Sequence, residues 1–131
     1  MELDKNYDDR SYLFGRLLAV ADKLERDTFE KEDKREEKRV TNAHRLWNTF
    51  SQRPYRTWKI LRERLIPYMN KLGKRSVWYQ KEIQEICEKM SPEVFSSAAP
   101  LEPLYLLGYD HEMKSLYNRA ETVKNAENEE E

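Results

Sequence analysis

Residues 44–81, HRLWNTFSQRPYRTWKILRERLIPYMNKLGKRSVWYQK, decide how the rest of the chain is read. They hold ten basic side chains against a single acid, Glu63, although the whole chain has a net charge of −1. The cations have therefore been gathered into one place. With Trp58 at zero and about 100° per residue, Leu61, Leu65, Tyr68, Met69 and Leu72 fall within roughly 80° of it. That is one apolar stripe on a helix. Arg53, Arg56, Lys59, Arg64 and Lys71 fall between about 100° and 240°, on the side away from the stripe. An ordinary solvated face mixes signs, because oppositely charged i,i+4 pairs support a helix and like charges cost similar amounts. This one does not mix them, which points to a polyanion partner. Lys74 and Arg75 extend the same cationic surface.

Outward from this stretch the pattern stays helical. Leu13, Leu17, Val20, Ala21 and Leu24 make an amphipathic helix capped by Asp8 or Asp9, and Gly15 within it would let another helix approach closely. Every residue from Glu30 to Arg39 is charged, a run read as a loop with helical ends. Ala43, Leu46, Trp47 and Phe50 form a short second helix that Thr41 or Asn42 caps. Pro54 suits the first position of the third helix, Pro67 should kink or split it, and Gly73 ends it. A fourth helix from Ser76 presents Tyr79, Ile83, Ile86, Cys87 and Met90, and Ser91-Pro92 starts a short piece. The last helix runs from about Leu101 to Arg119. With apolar residues on more than one side, it reads as the centre of the bundle.

The fold class expected is all-α, a compact bundle of about five helices over residues 1–117, followed by an acidic tail at 118–131 expected to be disordered. With three glycines, five prolines and no alternating apolar pattern, a sheet has little to build on. Charge is uneven along the chain. Residues 1–43 carry 10 basic and 12 acidic groups, and residues 82–131 carry 4 and 12. No apolar run approaches the about 20 residues that span a bilayer, so a cytoplasmic protein without membrane contact is expected. One cysteine and two histidines leave no usual zinc set, and neither a metal nor a cofactor is expected.

Catalytic motifs are missing: there is no glycine-rich phosphate loop, Cys-x-x-Cys, His-Glu-x-x-His or Gly-x-Ser-x-Gly. His111 lies between Asp110 and Glu112, but neighbours on a helix point apart, so it reads as a satisfied core histidine. Cys87 reads as a small core residue and His44 as surface. Trp47 and Trp58 lie on apolar stripes. Trp78 and Tyr55 lie off theirs and are candidates to touch a base or a partner protein. A protein without enzymatic activity is the expectation.

Two segments narrow the reading. Tyr12-Leu13-Phe14-Gly15-Arg16-Leu17-Leu18-Ala19-Val20 and Leu106-Leu107-Gly108-Tyr109-Asp110-His111 resemble the opening and closing motifs of the C-terminal region of the large subunit of subtype I-C CRISPR Cascade complexes. Asn42-Ala43 and the block from Ile60 to Leu72, ahead of Trp78-Tyr79, are similar to that family in order and spacing. The likeness spans roughly residues 7–117 and departs at Glu112-Met113, where the family tends to continue with Gln and Arg. Family members are several times longer, so a chain starting at Met1 resembles the separately translated small subunit. The resemblance implies contacts with the large subunit, the repeated backbone subunits, neighbouring copies of itself, and the target and non-target DNA strands, with guide RNA a further candidate. Nothing in it implies chemistry in this region. The expected role is to stabilise the R-loop through Arg53, Arg56, Lys59, Arg64, Lys71, Lys74 and Arg75. The alternative is a purely architectural adaptor whose basic face docks on acidic subunits.

Overall fold

A computed structural model describes residues 3–32 and 40–129, with side chains placed for 3–31 and 40–119. In chain order the elements are α1 (Arg10–Glu32), α2 (Asn42–Arg45), α3 (Trp47–Gln52), α4 (Pro54–Leu72), a 3-10 turn (Gly73–Arg75), α5 (Ser76–Glu88), α6 (Pro92–Phe95) and α7 (Leu104–Glu129). No strand occurs among the described residues. The all-α bundle expected from the sequence is what forms.

The axis of the bundle is α1, and not the last helix as its apolar content suggests. Every residue from Ser11 to Glu25 is buried, and α7, α4, α5 and α2 all pack on this helix. Asp9 starts it, its Oδ1 accepting from the Tyr12 amide at 3.1 Å. The closest approach is to α7. A Cβ on Gly15 would lie 2.0 Å from the Tyr105 carbonyl oxygen, and one on Gly108 would lie 2.1 Å from that of Tyr12. Glycine on both helices lets the backbones touch, as Gly15 suggested. That crossing fixes the rotation of α7. Gly108, His111, Glu112 and Leu116 turn inward, whereas Leu106 and Leu107 stand 48% and 43% exposed. Leu107 therefore does not share the buried side with Gly108 and His111.

Charged side chains on α1 are buried as well, each tied to another part of the chain. Arg16 donates from Nε to Glu112 at 2.8 Å and from Nη2 to Glu82 at 3.3 Å. Asp22 accepts from Thr41 and from the Tyr109 hydroxyl, and Glu25 accepts from the Asn42 amide at 2.6 Å. Asp27 accepts from Lys23 and from the Tyr79 hydroxyl. These bonds dock the ends of α2, α5 and α7 on one spine.

Local signals mark most of the short elements. Thr41 caps α2, its Oγ1 accepting from the His44 amide at 3.0 Å, and Ser91 caps α6 in the same way through Val94. Leu46, at φ −93° and ψ 7°, divides the expected second helix into α2 and α3. Pro54 starts α4, and Gly73 ends it at φ +61°. The helix is not split at Pro67. Pro67 and Glu63 are both exposed, so water can satisfy the Glu63 carbonyl that loses its partner. Residues 33–39, most of the charged run read as a loop, lie outside the described residues. The backbone of α7 is helical to Glu129, so the helix overlaps the acidic tail at 118–131. Its Ala, Glu and Lys content favours continuing a helix already nucleated.

Candidate nucleic-acid interface

The stripe on α4 packs as its spacing predicts. Trp58, Leu61, Leu65 and Leu72 are buried, and Tyr68 and Met69 pack against them half-buried. Opposite the stripe, Arg53, Arg56, Lys59, Arg64 and Lys71 are exposed, as are Lys74 and Arg75 in the turn that follows. Fifteen residues separate Arg56 from Lys71, so the row is about 22 Å long at the helical rise. Its cations fall into groups: Arg53, Arg56 and Lys59 at the start of α4, Arg64 midway, and Lys71, Lys74 and Arg75 at the far end.

How much of this charge the protein uses itself separates the members. Arg53, Arg56, Lys59, Arg64 and Lys74 form no ion pair among the described residues. Arg64 Nη1 reaches Asn42 Oδ1 at 3.5 Å, and Lys59 Nζ lies 5.1 Å from the centre of the Tyr55 ring. Lys71 leans over Tyr68, with 5.8 Å to the ring centre, and its carbonyl accepts from Lys31 Nζ at 2.7 Å. Arg75 turns back towards Asp27, at 4.0 Å, while staying 60% exposed. Two side chains dilute the face. Glu63 is exposed within it, and so is Ile60.

The first group has a shape of its own. Arg53, Arg56 and Lys59 line a groove of about 630 Å³ together with Tyr55, and residues 96–98 close its other side. The rigid body of α4 brings the cations there, but the opposing wall comes from forty residues further on. Phe95, next to that wall, meets Tyr55 edge-on at 5.2 Å and stacks on Phe14 at 5.6 Å. Trp78, the other off-stripe aromatic, is covered by Arg119 at 4.0 Å from its centre.

Most buried ionisable groups elsewhere are bonded within the bundle. His111 Nδ1 lies 3.0 Å from the Tyr12 hydroxyl, while Asp110 faces solvent and pairs with Lys114 at 3.0 Å. The two do not converge. Burial pushes the Cys87 thiol up to about 11, so it stays protonated and unreactive at neutral pH. Burial raises the Tyr79 and Tyr109 hydroxyls, with the Asp27 and Asp22 carboxylates adding to it. The Arg16–Glu82–Glu112 cluster has no precursor in the sequence reading. Burial, followed by the nearby Glu82 charge, pushes the Glu112 carboxyl up to about 7, against the bond from Arg16. Arg16 and Glu112 are 96 positions apart, and no local spacing marks them. Among the described residues no group of three or more His, Cys, Asp or Glu is placed to hold a metal, and no helix is long and apolar enough to cross a membrane.

A search of curated proteins finds no match to this chain. The family model described as CRISPR-associated protein (Cas_Csd1) matches residues 1–117, which takes in the α1–α7 crossing and the whole cationic face. The chain belongs to the CRISPR-associated Csd1 family.

Proposed function

We propose that this protein is a nonenzymatic small subunit of a type I-C CRISPR RNA-guided surveillance complex, where it stabilises the R-loop by holding DNA backbone and bridging other subunits. One observation carries the reading: five exposed cations along one face are left without a carboxylate of the described chain. Pairing with guide RNA reads the sequence in such complexes, so a flanking subunit needs phosphate contacts and no base code. Exchange of a DNA duplex for the heteroduplex is nearly balanced, and a few contacts to the separated strands tip it. Large subunit, repeated backbone subunits and neighbouring copies are the protein partners on this reading, and the cytoplasm is its compartment.

The test is target binding by the assembled complex with Arg56→Glu, Lys59→Glu and Arg64→Glu combined. Binding should weaken and its log–log salt slope should fall by about 2, at roughly 0.7 per single-strand phosphate. Circular dichroism should be unchanged, because all three side chains are exposed. Unchanged affinity at physiological salt refutes the assignment. Ile60, 40% exposed within the face, favours a second reading. An apolar side chain there adds nothing to phosphate binding but suits a protein, so the adaptor docking on acidic subunits predicts crosslinks from this face to protein alone.

A further inference from the structure

Two buried side-chain atoms among the described residues have no hydrogen-bond partner, Arg16 Nη1 and Glu112 Oε2. Glu112, whose carboxyl is pushed up to about 7, can lessen its own cost by holding a proton. A guanidinium has no such exit. Arg16 spends Nε on Glu112 and Nη2 on Glu82, and the hydrogens of Nη1 call for an acceptor that the described chain does not supply. Arg16 lines a pocket of about 360 Å³ with Lys5, Asn6, Glu85, Glu88 and Lys89. It is the only buried member of the six, at 2% exposed, so it forms the floor and the others stand round the mouth. Glu85, Glu88 and Lys89 come from the end of α5, at i, i+3 and i+4. Lys5 and Asn6 come from a turn ahead of α1. There the Asn6 amide donates to Asp4 Oδ1 at 3.0 Å, and the Asp4 amide donates to the Tyr12 hydroxyl at 3.2 Å. Lys5, Glu85 and Lys89 share one opening, yet form no ion pair among the described residues.

We propose that this pocket takes one carboxylate, the Asp or Glu side chain of a partner subunit, on Arg16 Nη1 between Lys5 and Lys89. A phosphate strand does not suit it. Glu82, Glu85 and Glu88 would repel the strand's charge, and the negative end of the α5 dipole lies in the same place. An acidic side chain brings a single charge, and the peptide groups on either side of it offer N–H donors to Glu85 and Glu88. Asn6, whose amide both donates and accepts, can pair with a peptide group in the same way. None of the lining comes from α4, so this contact and the cationic face use different residues. The inference rests on the reading of the chain as a subunit that bridges others. To that it adds the residues of one such contact and the group they recognise.

The full chain is titrated at about 150 mM salt onto the complex purified without it, and the product is treated with a carbodiimide, which joins an amine to a carboxylate in direct contact. Mass spectrometry should find Lys5 or Lys89 joined to an Asp or Glu of another subunit. Lys5→Glu combined with Lys89→Glu should weaken association about tenfold or more, and changing the joined Asp or Glu to Lys should restore it. Circular dichroism should be unchanged, because both lysines are exposed. Arg16 is left in place, since the bundle depends on it. A double variant that associates like wild type overturns the site, and the wider reading is then decided by the target-binding test. Weaker association without a crosslink to Asp or Glu overturns the carboxylate. Intact assembly with weaker target binding and a lower salt slope would put nucleic acid in the pocket and overturns it too. No association by wild type defeats both this contact and the subunit reading.

Discussion

Helices α1 and α4 are both rich in charge, and they spend it in opposite ways. On α1, Arg16, Asp22, Lys23, Glu25 and Asp27 are buried and bonded to residues of other elements or of α1 itself. On α4 the cations stand in solvent, and Arg56, Lys59 and Arg64 form no ion pair among the described residues. A charge inside a protein is tolerable when it is paired and hydrogen-bonded, and it then specifies how the parts dock. Left outside and unmixed in sign, it is a standing field for an anion. The difference separates what assembles this protein from what it offers to others. Each prediction below pushes on one side of that division.

The two largest effects are of similar size, and the first belongs to the α1–α7 crossing. Intrinsic propensity favours Ala over Gly within a helix by about 1 kcal/mol, so Gly15→Ala would stabilise an isolated α1. Here its methyl would meet backbone, which cannot rotate aside, and the helices must part. A net loss of about 3 kcal/mol or more is expected, a fall in Tm of roughly 10 °C, with Gly108→Ala similar. A thermal melt with Tm at or above wild type would show that the crossing is not closed by backbone contact.

Next comes the buried cluster. Arg16→Met strands two carboxylates in the interior and should cost about 3–5 kcal/mol by denaturant unfolding, with Glu82→Gln and Glu112→Gln added to it recovering much of the loss. The cluster also gives stability a pH slope. Glu112 is raised in the folded state, so between about 4.5 and 7 the native protein holds a proton that the unfolded chain has released. Its contribution is full below that window and fades as pH rises through it. Glu112→Gln should flatten this part of the stability curve, and an unchanged slope would mean that another group titrates there.

What the sequence made legible follows from range. The stripe and cationic face of α4 repeat at helical spacing within twenty residues, and the structure keeps both. Gly15 announced a close approach because nothing else explains a glycine amid good helix formers. The charged residues of α1 drew no reading of their own from the sequence, since their partners Thr41, Glu82, Tyr109 and Glu112 are remote in the chain. Leu106 and Leu107 looked like core, but Gly108 has to meet α1, and that rotation turns both leucines out. The groove was half visible: Tyr55 stood off its stripe, whereas the wall facing it begins at Ser96 and had no local mark.

Arg75 lies on the boundary between the two uses of charge, and the smallest prediction concerns it. Its guanidinium reaches Asp27, which belongs to the buried set, yet it is 60% exposed and the 4.0 Å separation is at the limit of an ion pair. Screening by water leaves such a pair worth about 0.5 kcal/mol or less. Arg75→Ala should therefore barely move the unfolding midpoint. If the residue belongs functionally with α4, the same substitution should lower the salt slope of DNA binding by the assembled complex by about 0.7, one phosphate's share. A clear loss of stability with no change in slope would place Arg75 with α1 and end the cationic row at Lys74. The two measurements pull apart because docking charges are felt in folding and displayed charges in binding.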